Sequence, residues 1–104
     1  DTGLAYMAHG GQGCISVTVN VAPEQVVALY AAALAGDFVE ARRINRRLAR
    51  LHKALFLDAS PSPAKWAMAQ LGLCGDECRL PLAPCSEAVR PEILAAMAEA
   101  GLQP

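Results

Sequence analysis

Two lysines in 104 residues, one Trp, two Tyr, two Phe and no long apolar run set the first bounds on this sequence. A membrane-spanning helix needs about 20 consecutive apolar residues, and no run approaches that length, so a span is excluded and the chain reads as soluble. An excess of one charge is missing too. With 9 Lys+Arg against 10 Asp+Glu, the overall field recruits neither nucleic acid nor an anionic membrane. The start, Asp1-Thr2-Gly3, has no initiator Met and no basic-then-apolar leader, as expected of a cut inside a longer chain. Zinc spacing is also absent. Cys74, Cys78 and Cys85 form a C-x3-C-x6-C run without a C-x2-C knuckle or a nearby histidine pair, and Cys14 stands apart. Reduced thiols are expected rather than a metal site or cofactor.

What is present is a 54% hydrophobic content, enough for the packed core of one domain. Thr2 to His9 reads as a short helix stopped by Gly10-Gly11. Cys14 to Val19 is rich in β-branched residues between Gly13 and Asn20, which predicts a short buried strand. Everything later reads as helix. Pro23 opens one that Gly36 closes, with Val26, Val27, Leu29, Tyr30 and Leu34 as its apolar face. Asp37 and Glu40 resemble a capping box for a long helix to about Leu57, carried by Phe38, Ala41, Ile44, Leu48, Leu51 and Leu55. Pro63 starts a helix that runs through Trp66 to Leu71, and Gly75 to Ser86 is a proline-containing connector. A last helix places Ile93, Leu94 and Met97 inward until Gly101. One strand cannot satisfy its own backbone groups, so it implies missing neighbours, and without them it should be irregular or else paired with the same strand of another copy.

The chemistry-bearing residues have bland readings. Arg42, Arg43, Arg46, Arg47, Arg50 and Lys53 share the polar side of one helix, a solvated face or subunit contact rather than a nucleic-acid stripe, since few aromatics accompany them. Trp66 beside Lys65 reads as a core anchor. His9 and His52 are isolated, and Ser16 and Thr18 lack the His and Asp of a nucleophilic set, so they read as strand residues with local hydrogen bonds.

The run from Gly10 to Asn20, read GGQGCISVTVN, resembles the last barrel strand of the dihydrodipicolinate synthase and N-acetylneuraminate lyase family. Pro63-Ala64-Lys65-Trp66-Ala67, Leu71-Gly72-Leu73 and Arg79-Leu80-Pro81-Leu82-Ala83-Pro84 resemble the P-x-K-W-A, L-G-L and R-L-P-L-x-P order of its synthases, and Gly36 to Asn45 is similar to its G-x-F-x-x-A-R-x-I-N helix start. The resemblance extends over essentially the whole chain. It implies a mainly α piece of a (β/α)8 barrel: residues 1–35 as the last βα part, residues 36–104 as a C-terminal three-helix extension. In that count Thr2 to His9 is the seventh barrel helix, Cys14 to Thr18 the eighth strand and Pro23 to Ala35 the eighth helix.

The family condenses pyruvate with aspartate semialdehyde on the route to diaminopimelate and lysine, in the cytoplasm, through a Schiff base on a sixth-strand lysine. Neither Lys53 nor Lys65 falls at the carboxyl end of a barrel strand, and the family's Y-N-x-P-x-R motif is absent. The resemblance therefore implies no catalytic residue here, and one substrate contact, the main-chain carbonyl of Ile15 facing pyruvate. Two expectations remain open: a piece of a Schiff-base aldolase that is inactive alone, self-associating through its exposed strand, or a non-catalytic helical interaction module that binds a partner through its arginine-rich helix.

Overall fold

Apolar residues three and four apart decide where the helices run in the computed structural model, which describes residues 1–103. Five α-helices result: α1 Gly3–Ala8, α2 Pro23–Leu34, α3 Phe38–Ala54, α4 Ser62–Gln70 and α5 Arg90–Glu99. Their ends follow local chemistry. The Asp37 carboxylate accepts the Glu40 amide at 3.0 Å, which satisfies one of the donors the first turn of α3 leaves free. Gly36 sits at φ +80°, a conformation side chains resist, and lets the chain fold back so that the Asp37 amide reaches the Ala32 carbonyl at 2.9 Å. α3 stops at Ala54 rather than near Leu57, yet Leu55 stays fully buried in the following turn.

α3 is the axis of the molecule. It packs against α2 on one side and α5 on another, while α1 lies on α2 and α4 on α5. Leu29, Leu48, Leu51, Leu55, Ile93 and Met97 are wholly removed from solvent, each worth about 1.5–3 kcal/mol relative to an exposed position. This core is continuous from Met7 to Ala100, with Trp66 inside it, so the first 35 residues and the rest share one interior. Three expected inward positions are wrong. Val27, one residue past the buried Val26, is 62% exposed, Leu34 61% and Leu94 39%. α2 buries Val26, Leu29 and Ala33, and α5 buries Ile93, Ala96 and Met97. Leu34 and Leu94 each lie one residue beyond a buried one, about 100° around the helix and outside the contact stripe.

The strand read over Cys14 to Val19 is irregular in this chain, as expected of a strand without its neighbours. Residues 11–16 are irregular, Thr18–Asn20 is a single 3-10 turn, and no strand occurs among the described residues. The reason is pairing. A strand is defined by a ladder to a neighbour, and the rest of the chain is helical, so β propensity has no partner to act on. A long α3 polar face is tied down instead: the Arg50 guanidinium donates twice to the Glu92 carboxylate, both at 2.8 Å, bridging α3 to α5.

Candidate functional site

The irregular segment and α1 frame an open groove of about 490 Å³ that reaches α2 through Tyr30 and α3 through Asn45 and His52. Its near wall is residues 13–18. Ile15 stands on this wall fully exposed. The backbone between Gly11 and Val17 is held only at its ends. At one end the Gly11 amide donates to the Tyr6 carbonyl at 3.0 Å; at the other the Asn20 amide and side chain both donate to the Val17 carbonyl at 3.1 Å. Residues 12–16 take part in no backbone hydrogen bond among the described residues.

The second end is built around Thr18. It is 2% exposed, its carbonyl accepts the Val21 and Ala22 amides at 3.0 and 2.9 Å, and its Oγ1 is hydrogen-bonded to His52 Nδ1 at 2.8 Å. Burial, together with repulsion from the Asp1 amino group, pushes the His52 imidazole down to about 4. The ring is therefore neutral at physiological pH, and its Nδ1 bond to the hydroxyl is one between two uncharged groups. The expectation that Thr18 bonds locally along a strand is corrected here: its side-chain partner lies 34 residues away on α3. Nothing periodic in the sequence links the two positions, although an isolated histidine in a helix otherwise rich in arginine was a signal to look for one.

Tyr30 also lines the groove. Burial first, then the adjacent Cys14 thiol, pushes its phenol up to about 12, so it stays protonated. Its hydroxyl lies against Gly3 so closely that any side chain at that position would overlap it. Neither lysine lines this groove. Lys53 is exposed in the last turn of α3, and the Lys65 ammonium donates to the Glu77 carbonyl on the far connector.

Elsewhere the side chains hold structure together. Trp66 is 6% exposed with the Arg90 guanidinium 5.7 Å from its ring centroid, a cation–π contact, and Arg90 also donates to the Cys85 carbonyl at 2.9 Å. The Ser62 hydroxyl donates to the Ala83 carbonyl at 2.6 Å. Asp58, held below the usual carboxylate range by the Ser86 and Ala59 amides, fixes the end of the connector. The four cysteines are free, and burial pushes the Cys85 thiol up. No cluster of three potential metal ligands occurs among the described residues, and no helix among them is long and apolar enough to cross a membrane.

Comparison with known proteins covers nearly all of this architecture. A family model described as the dihydrodipicolinate synthetase family matches residues 1–100. The chain is similar to the 4-hydroxy-tetrahydrodipicolinate synthases of Phenylobacterium zucineum (strain HLK1), 64% identical over 99 residues and 95% of this chain, and of Parvibaculum lavamentivorans, 52% identical over 101 residues and 97% of this chain. It spans about a third of these relatives, 34% and 35% of their lengths. Among solved structures, dihydrodipicolinate synthase from Thermotoga maritima superposes with a TM-score of 0.93 at 38% identity, over 98% of this chain and 35% of that one. The chloride-inhibited synthase from Acinetobacter baumannii, solved with pyruvate, matches with the same TM-score, identity and coverage.

Proposed function

We propose, from the premise that the chain belongs to the dihydrodipicolinate synthetase family, that it is the C-terminal part of a Schiff-base aldolase. The parent would condense pyruvate with L-aspartate 4-semialdehyde on the route to diaminopimelate and lysine. The observation that carries this reading is a TM-score of 0.93 over 98% of this chain against 35% of a pyruvate-bound synthase. A third of a chain that keeps its relatives' shape is a structural unit of their fold.

In this reading residues 1–35 supply the last βα part of a barrel and residues 36–104 its helical extension. The division is one of role, since both share one core. The segment at Ile15 takes its place as a strand once barrel neighbours supply the ladder, and the Ile15 carbonyl faces bound pyruvate. The chemistry itself belongs to the rest of the barrel. An imine requires an amine deprotonated near neutral pH beside a proton carrier, and no lysine lines the groove, so this chain contributes a wall and an anchor. The interaction-module reading is not favoured: Arg50 and Arg43 of the basic face are already engaged by Glu92 and Glu40 within the chain.

The test is a chimera. Residues 1–104 replace the corresponding C-terminal segment of the Phenylobacterium zucineum synthase, and condensation of pyruvate with aspartate semialdehyde is assayed. Activity within about tenfold of that enzyme is expected; a folded chimera with no activity would overturn the reading.

A further inference from the structure

We infer that His52 is a positioning residue, which sets the substrate-facing segment of Ile15 by anchoring Thr18 from helix α3. The inference deepens the functional reading above and rests on it for its catalytic consequence, but its geometry stands on this chain alone.

The segment from Gly11 to Val17 has a fixed entrance, a fixed exit and, among the described residues, no backbone hydrogen bond over residues 12–16 between them. At the exit Thr18 carries almost all the restraint. Its backbone carbonyl closes the 3-10 turn through Val21 and Ala22, and its side chain reaches across to the long helix, at 2.8 Å from His52 Nδ1. Thr18 is 2% exposed and His52 half-buried, so a lost partner would strand a polar atom away from water. α3 is the most constrained element available, flanked by α2 and α5 and pinned by the Arg50–Glu92 pair. A bond to it transmits that rigidity to a stretch with no backbone bonds of its own in this chain, and in the barrel it fixes the end of the strand that carries Ile15. Ile15 lies three residues before the anchor, on the groove wall. A carbonyl there is aimed only as well as residues 15 to 18 are held, and small displacements of a positioned group cost binding.

Two substitutions separate the anchor from mere bulk. His52→Asn puts an amide oxygen or nitrogen close to where Nδ1 lies and can still bond a hydroxyl, whereas His52→Leu cannot. In the 104-residue chain, amide exchange of Asn20, Val21 and Ala22, whose amides close the turn on the Val17 and Thr18 carbonyls, is expected to rise in His52→Leu relative to wild type, with His52→Asn close to wild type and the α3 amides unmoved. In the active chimera, His52→Leu and Thr18→Val are expected to raise KM for pyruvate about tenfold, the loss of one hydrogen bond's worth of binding, with kcat within about twofold. His52→Asn and Thr18→Ser should restore most of it, and the double variant His52→Leu/Thr18→Val should cost no more than either single one. If the leucine variant does not fold, Thr18→Ala decides by the same KM measurement. Unchanged exchange at Asn20, Val21 and Ala22, or an unchanged pyruvate KM in folded variants, overturns the inference. An inactive wild-type chimera overturns the functional reading instead and leaves the exchange result to judge the anchor.

Discussion

At His52 the folded chain keeps an imidazole neutral that water would leave free to take a proton. Its value is pushed from 6.5 to about 4, by burial first and by the Asp1 amino group second. Unfolding restores the ordinary affinity, so between those two values the unfolded chain binds the extra proton and stability must fall as pH falls. The contribution is complete above about pH 6.5 and is lost progressively toward pH 4. Asp58, Glu40 and Glu92 have depressed carboxyl values, so their contribution is kept until the pH falls into the ordinary carboxylate range, at the acid end of that window, and is lost from there downward. Urea unfolding midpoints taken from pH 7 to 4.5 should decline in the wild type and decline distinctly less in His52→Asn; equal declines would remove His52 from the account. Single residues differed in how visible they were beforehand. Trp66 and Leu48 announced themselves by helical spacing, since burial follows from the face a residue occupies. The role of Thr18 did not, because a hydroxyl's partner is chosen in three dimensions and the histidine it found is 34 residues on.

Helix α3 shows how much an element owes to its ends and its stripe. Leu48 is wholly buried on α3, so Leu48→Ala should cost about 2–5 kcal/mol of unfolding free energy, the transfer and cavity terms together. Leu94→Ala, at a position 39% exposed on α5, should cost well under half as much by the same denaturant titration. A comparable loss at both sites would mean that the contact stripe of α5 is misplaced. Asp37→Ala removes the cap on the Glu40 amide and should cost about 1 kcal/mol. The helices were legible because each carries its own hydrogen bonds and writes its boundaries in Pro, Gly and Asp. The segment at Cys14 to Val19 is irregular for the complementary reason. Its composition states what it can do in a sheet, and the sheet is not in this chain.

For the whole molecule, the same segment separates a closed side from an open one. Tyr6, Ile15 and Phe56 line the groove while 61%, 106% and 59% exposed, and the free backbone groups of residues 12–16 are what a pairing edge presents to another chain. Sedimentation at rising concentration is therefore expected to show self-association that Ile15→Asp reduces; a monomer at all concentrations would mean the groove is inert. The catalytic consequence is sharper. A Schiff base with pyruvate requires a lysine that can lose its proton in a site that holds the keto acid. Of the two lysines, Lys53 extends into solvent at the end of α3, and Lys65 is turned to the Glu77 carbonyl on the opposite connector. Neither meets the groove where the Ile15 carbonyl lies, so pyruvate would have no positioned amine even if it bound. Incubation of the 104-residue chain with pyruvate and borohydride should leave its intact mass unchanged, while the active chimera under the same conditions should gain one reduced pyruvyl group on the lysine of its donor portion. A single stoichiometric adduct at Lys53 or Lys65 would show that this chain holds an imine-forming amine of its own, and the division of labour proposed here would fail.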